Sequence, residues 1–90
     1  MTYDETIDSI VFRPSRHDGR CVVHRRALRV LMRRDPTPED SLAFLAEHRA
    51  ALDSAARHKI ERLGLAQEAH FHLNSRDLRR AMPASGPARR

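Results

Sequence analysis

Two short β-type segments open the chain. Residues 6–13 hold four large apolar side chains, three of them β-branched: Ile7, Ile10, Val11 and Phe12. Together with the proline that follows them, they predict a strand. Residues 14–19 are rich in turn formers and include an Asp-Gly pair suited to positive φ, and residues 20–24 predict a second strand. We therefore expect an antiparallel hairpin, preceded by a flexible lead-in over residues 1–5.

The segment from 25 to 34 is amphipathic with a helical period. One face of a helix would collect the apolar residues Leu28, Leu31 and Met32. A second face would carry arginines at every fourth position: Arg25, Arg29 and Arg33. This spacing predicts a short helix with one apolar and one basic stripe. An Asp-Pro pair directly after it would end the helix.

A long helical pattern follows. Thr37 can cap its start, Pro38 suits the first helical position, and two acidic residues come next. An apolar stripe then continues without glycine or proline as far as Gly64, through Leu42, Leu45, Leu52, Ala56, Ile60 and Leu63. About 26 residues at ~1.5 Å each would make a helix of ~39 Å. Such a helix must overhang a domain of this size or bend, and Leu52 is expected at the centre of its buried face.

The last pattern is a clean alternation followed by a helix start. Residues 69–73 place Ala, Phe and Leu on one face and two histidines on the other, which predicts a strand. Asn74 can cap a short helix that continues to about Met82. We predict an α+β fold in the order β-β-α-α-β-α, with a small three-stranded antiparallel sheet packed on one long helix plus a short helix. It forms a single domain over residues 6–82, and residues 83–90 are predicted to be a disordered basic tail.

This order and several residues resemble a family of small bacterial proteins known as domain of unknown function number 1488. The resemblance extends from about Ile7 to Leu78. Its landmarks are spaced hydrophobic and capping positions: Ile10-x-Phe12, the segment Cys21 to Leu28, Phe44-x-x-x-His48-Arg49, Ala55-Ala56-Arg57, Phe71-His72-Leu73 and Asp77-Leu78. The family usually has a small hydroxyl residue where this chain has His24, so an imidazole would have to cap the short helix. The resemblance implies a small α+β fold and no known activity.

Charge is distributed unevenly along the chain. The net charge is +5, from 17 basic and 12 acidic residues. Residues 13–34 hold eight arginines against one aspartate, and residues 79–90 hold four more arginines. A basic segment of this kind attracts phosphate-rich or acidic partners. The alternative is that it forms a solvated helix face.

The composition excludes several classes of protein. The single cysteine, Cys21, excludes an internal disulfide and a zinc site built on cysteines. No apolar run approaches the ~18 residues of a membrane-spanning helix. Three acids near the N-terminus occupy the place of a signal peptide's positive region, so we expect a cytoplasmic protein.

The candidate polyanion-binding site is a cluster of five arginines on the short helix: Arg25, Arg26, Arg29, Arg33 and Arg34. Phosphate contact requires only positive charge and access. A helix-turn-helix does not fit, because two prolines separate the two helices and the remainder is sheet. The aromatic residues are too few to form a stacking platform for RNA bases. Nucleic-acid binding through this cluster would therefore be weak and non-specific.

Two pairs of side chains contain the residue types used in metal binding and in nucleophilic catalysis. His70 and His72 would share the outer face of their strand and could contact one metal ion, but a site needs three or four ligands and no third is evident. Cys21 and His24 would lie on opposite faces of their strand, so no base is positioned beside the thiol. We therefore predict no catalytic, metal-binding or cofactor-binding residue in this chain, and no enzyme activity.

Two residues in the long helix have structural interpretations. His48 lies near the apolar stripe and is expected to be partly buried. Arg49 is expected to form a salt bridge with an acid such as Asp77.

The predicted function is that of a non-enzymatic binding or accessory protein. The alternative is a weak, non-specific nucleic-acid-associated protein that uses the arginine-rich helix. Two partners stay open: nucleic acid, and a second copy of the chain that would form a homodimer through the outer sheet face. Val22, His70 and His72 are expected on that face, and no membrane partner is predicted.

Overall fold

The chain folds into one sheet with helices packed on it. The computed structural model describes residues 1–82. Within these residues, four strands and four helices follow one another in the order β1 (Thr2–Asp4), β2 (Ser9–Phe12), β3 (Cys21–His24), α1 (Arg25–Met32), α2 (Pro38–Glu47), α3 (Arg49–Leu63), β4 (Phe71–Leu73) and α4 (Ser75–Ala81). The α+β class is therefore confirmed. The predicted disordered tail at 83–90 lies outside the described residues.

The sheet is mixed and four-stranded, so the predicted three-stranded antiparallel sheet is wrong in two details. The strands lie in the order β1-β2-β3-β4, with the first three antiparallel and β4 parallel to β3. The three helices between β3 and β4 form a long crossover, which allows a parallel pairing that a tight turn cannot make. Residues 2–4 are an edge strand rather than a flexible lead-in, because Tyr3 pairs with Ile10 and its side chain packs against the core.

The core lies between the inner face of the sheet and the helices. Two cross-strand rows form that face: Ile10, Val23 and Leu73 in one, and Phe12, Cys21 and Phe71 in the other. Each helix adds at least one buried side chain, among them Leu28, Leu45, Leu52 and Leu78. Leu52 is only 1% exposed, so its predicted central position is confirmed.

The predicted long helix is two helices that meet at His48. This residue has φ −109° and ψ 32°, outside the helical region, and it ends α2 while preceding α3. A straight helix of ~39 Å would exceed the longest dimension of the molecule, 38 Å. The break keeps both Leu45 and Leu52 in the core, and the imidazole of His48 lies 4.5 Å from the ring of Phe44. No glycine or proline marks the break, which is why the sequence pattern does not reveal it.

The helix ends follow the predicted capping chemistry. Thr37 and Asn74 each form a reciprocal capping box with the residue three positions later, Asp40 and Asp77 respectively. Gly64 ends α3 with φ 61°, in the left-handed region that favours glycine. The Nδ1 atom of His24 accepts a hydrogen bond from the backbone N–H of Arg26 at 3.0 Å, so an imidazole does cap α1.

Gly19 lets the loop between β2 and β3 approach the segment that leads into β4. It does so because it has no side chain; its φ is not positive, contrary to the prediction. A Cβ atom at this position would lie 1.9 Å from the carbonyl oxygen of Ala69. The buried His17 sits beside this contact, and its Nε2–H donates to the same oxygen at 2.7 Å. Its ring also meets that of Phe71 edge-on at 5.5 Å. These contacts place the loop between β2 and β3 against the segment that leads into β4.

The outer face of the sheet carries no layer of helices. Val11, Val22 and His72 form a cross-strand row on this face, and none of the three is fully buried. The molecule measures 38 × 32 × 17 Å, and its smallest dimension has room for one sheet and one helical layer. Among residues 1–82, no helix has the length and apolar character required to cross a membrane.

Candidate functional site

Arg25 is held inside the fold rather than offered to a ligand. Its Nε donates to Asp8 Oδ1 at 2.8 Å, and its Nη1 donates to Asp35 Oδ1 and the carbonyl of Pro36, both at 2.9 Å. The guanidinium of Arg25 and the hydroxyl of Tyr3 both donate to the Asp8 carboxylate, and they lower its pKa to about 2. The same hydrogen bond, which Arg25 donates to Asp8, raises the pKa of the Arg25 guanidinium. These contacts give Arg25 a structural role, and its contribution to polyanion binding stays a prediction.

Arg34 is also paired. Its Nη1 lies 3.0 Å from Asp40 Oδ2, and the same carboxylate closes the capping box of α2 with Thr37. The Arg34 guanidinium, aided by the backbone N–H of Thr37, lowers the pKa of Asp40. Both side chains are partly exposed, so this pair is a weak contact that a strong ligand can exchange.

Three of the predicted arginines have no ion pair within the described part of the chain: Arg26, Arg29 and Arg33. All three are exposed. Arg26 and Arg29 lie three residues apart on α1, and Val30 is four residues after Arg26. Arg33 follows the last helical residue and has φ 58°, so it belongs to the left-handed cap that ends α1 and not to the helix itself.

A groove runs between the outer face of the sheet and the exposed side of α1. We name it the outer groove; its volume is about 680 Å³. Its apolar part is formed by Ile7, Val22, Ala27, Val30 and Phe71. Its polar rim includes His24, Arg26, His70, His72, Asn74 and Ser75. Ile7 is 44% exposed and Val30 is 48% exposed, so two large apolar side chains of the groove face solvent.

The rim of the outer groove offers hydrogen-bond donors. The Nδ1 atom of His24 accepts from the backbone N–H of Arg26, and the Nδ1 atom of His70 accepts from the backbone N–H of Arg20 at 2.9 Å. Since Nδ1 is the acceptor in both rings, each neutral imidazole carries its proton on Nε2. No carboxylate from residues 1–82 lines the groove. The rim is therefore rich in donors and carries the positive charge of Arg26.

The histidines of the rim do not assemble a metal centre. In the portion of the chain that the structure describes, no three side chains of His, Cys, Asp or Glu come together in a way that could hold a metal ion. His70 and His72 lie at the groove as expected, together with Val22. The ring nitrogens of both histidines can form hydrogen bonds to a molecule in the groove.

Cys21 lies on the inner face of the sheet and is fully buried. Burial raises the pKa of its thiol to about 12, so the side chain stays protonated at neutral pH. His24 belongs to the opposite face, as the alternation of β3 requires. The pair offers no arrangement for nucleophilic chemistry.

Arg49 does not reach Asp77, and the expectation of that salt bridge is wrong. Its Nε lies 3.4 Å from Asp53 Oδ2, one helical turn away, and its guanidinium lies over the ring of Phe12 at 5.6 Å. Lys59 pairs with Asp77 instead, at 2.8 Å. The break at His48 sets the start of α3, so Lys59 faces α4 and Arg62 lies near the same carboxylate at 4.0 Å.

Ile7 and Val30 are exposed apolar residues of the groove whose surface position is not among our predictions from the sequence. Val30 had a recognisable signal, because it is an apolar residue on the arginine side of an amphipathic helix. Ile7 had none, since it looked like the first core residue of a strand that in fact begins at Ser9.

No protein-family model, no curated protein and no solved structure matches this chain. The resemblance to domain of unknown function number 1488 therefore stays a prediction.

Proposed function

We propose that this chain is a non-enzymatic binding domain, and that its outer groove holds an apolar segment of a partner protein. The observation that carries the proposal is the exposure of Ile7 and Val30 beside Val22 on a sheet face that no helix covers. An exposed apolar groove with a polar rim is typical of an interaction site. A domain of 90 residues has little apolar surface to spare from its core, so this exposure supports a binding role.

Charge disfavours a second copy of the chain as the occupant. A two-fold homodimer would place the same patch of each copy against the other. That arrangement brings two copies of Arg26 and of the histidine rim together with no carboxylate from the groove to pair with them. Each chain also carries a net charge of +5. We therefore favour a different protein over the homodimer.

The test is a binding experiment in which NMR signals report on individual residues of the groove. Labelled protein is titrated with helical peptides that share one apolar stripe and differ in charge, and two-dimensional NMR spectra are recorded. We expect shifts at Val22, Val30 and His72. Val30→Ser should weaken binding, whereas Leu63→Ser should not, because Leu63 is 51% exposed and lies outside the groove. Absence of groove shifts with every peptide contradicts the proposal.

A second candidate function is weak, non-specific nucleic-acid binding through Arg26, Arg29 and Arg33. Its support is that these three exposed arginines have no carboxylate partner among residues 1–82. Three phosphate contacts on duplex DNA would make log affinity fall with log salt at a slope of about −3. Replacing the three arginines by glutamine should abolish binding to scrambled duplex DNA in a fluorescence titration. The control is Arg57→Gln, which removes an exposed arginine of α3.

A further inference from the structure

We infer that the segment received by the outer groove is an acidic amphipathic helix of the partner. The inference rests on the proposed function and deepens it, because it names the chemistry and the conformation of the occupant. Three observations carry it: the charge of the rim, the further arginines beside it, and the state of the sheet edges.

The positive charge beside the outer groove favours a partner with negative charge. Arg26 lies at the rim of the groove, Arg29 lies one turn further along α1 and outside the groove lining, and Arg33 is the capping residue that ends α1. Within the described residues no carboxylate lines the groove itself, so an acidic partner meets no like charge inside it; Asp8 and Asp35 line a neighbouring pocket with Arg26 and Arg29. The Nε2–H groups of His24 and His70 add neutral donors. Electrostatic complementarity of this kind selects partners that carry carboxylates.

The position of Val30 explains why the partner must also be apolar on one side. Val30 lies beside Arg26 on α1, on the side away from Arg29, and it lines the groove with Val22 and Ala27. A helix that buries apolar side chains against these three residues brings one flank over the arginines. Acidic residues three or four positions from the apolar stripe would then reach Arg26 and Arg29. The surface therefore fits an amphipathic pattern rather than a uniform polyanion.

The sheet edges disfavour an extended partner strand. Both edge strands, β1 and β4, contain three residues. The backbone N–H of Phe71 points towards the β3 side and donates to the carbonyl of Arg20, the residue just before β3. Its neighbour His72 therefore presents its backbone groups to the free edge. The carbonyl of His72 is already occupied by Lys59 Nζ at 2.8 Å. A helix satisfies its own backbone and requires only side-chain contact, so it suits this face better.

The experiment uses three peptides of about 18 residues, ~27 Å long as helices, with an identical leucine stripe. Their flanking positions carry glutamate, glutamine or lysine, and binding to the full chain is measured by fluorescence anisotropy. Since three exposed ion pairs act together, we expect the glutamate peptide to bind about tenfold more tightly than the glutamine peptide at low salt. The lysine peptide should bind weakest. The preference for the glutamate peptide over the glutamine peptide should be smaller at ~0.5 M salt, where surface charges are screened.

Variants separate the two parts of the surface. The double variant Arg29→Gln with Arg33→Gln should lower the ratio of glutamate-peptide affinity to glutamine-peptide affinity towards one, whereas the control Arg57→Gln should leave that ratio as it is in the original chain. Val30→Ser should weaken both peptides, with Leu63→Ser as the control. All these side chains are exposed, so the variants should unfold at the same temperature as the original chain.

The outcomes decide between the inference and the proposed function. If all three peptides bind equally and shift the groove, the occupant is not acidic and only the inference fails. If the glutamate peptide binds as tightly to Val30→Ser as to the original chain, the contact is charge attraction alone and the inference is overturned. If no peptide shifts the groove, the proposed function itself fails.

Discussion

The Lys59 ammonium lies 2.8 Å from Asp77 Oδ2, with the two side chains 13% and 8% exposed. The same ammonium donates to the carbonyl of His72 at 2.8 Å. Burial raises the pKa of the Asp77 carboxyl, but the hydrogen bonds from Lys59 and from the backbone N–H of Asn74 outweigh burial, and the pKa is lowered. One side chain of α3 thus joins the end of β4 to the first turn of α4.

We expect Lys59→Met to destabilise the protein, because it leaves a buried carboxylate without its main partner. The cost in the free energy of unfolding should be about 2–3 kcal/mol, measured by urea denaturation. Lys59→Arg is the matched control, since it retains a charge at this position. A cost below ~0.5 kcal/mol for the methionine variant would show that solvent satisfies Asp77.

Stability should depend on pH through Asp8. Its pKa is about 2 in the folded chain against an ordinary 3.8, so its contribution is complete above pH 3.8 and is lost as the pH falls towards 2. Asp8→Asn should therefore be less stable than the original chain at pH 6, and the difference should disappear in that window. Urea denaturation across this pH range measures it. A difference that stays constant down to pH 2 would mean that the charge of Asp8 is not involved.

Leu52→Ala should cost about 2–5 kcal/mol in the free energy of unfolding, because it opens a cavity at the centre of the core. Leu63→Ala is the matched control on the same helix, and its exposed side chain should contribute within ~0.5 kcal/mol. Equal effects of the two substitutions in chemical denaturation would refute the burial assigned to α3.

Gly19→Ala should destabilise the loop contact, because its Cβ would lie 1.9 Å from a backbone oxygen that cannot move without the whole segment. We expect a cost of about 1–3 kcal/mol and broadened NMR signals for His17 and Phe71. Gly64→Ala provides the contrast, since its cost comes from φ 61° alone and nothing crowds the new methyl group. If the Gly19 variant keeps its stability and its His17 signals, the two loops are not in close contact.

Several elements were predictable because their signals are local. The capping residues Thr37, Asn74 and Gly64 act within one turn of their helices, and the strands around Ile10 and Val23 carry dense β-branched residues. The inward position of Leu52 follows from helical spacing alone.

The remaining features depend on contacts between distant parts of the chain. The pairing of Tyr3 with Ile10 and the parallel alignment of β4 leave no mark in the local pattern. Arg25 looked free because Asp8 and Asp35 reach it only after the hairpin and the following loop have folded. The outer-face positions of Val22, His70 and His72 follow from strand alternation, whereas the groove itself, with Ile7 and Val30, depends on how the strands and α1 pack.

The parallel pairing of β3 with β4 also has a consequence for biosynthesis. β3 is translated early, but its second neighbour is absent until residues 71–73 have been made, since residues 25–70 intervene. During that interval, one side of β3 has unpaired backbone groups, and Val23 lacks the cover of Leu73. Closing so large a loop is slow compared with forming a hairpin. The sheet in the nascent chain therefore stays incomplete until β4 has been made and has paired with β3, although each strand is short.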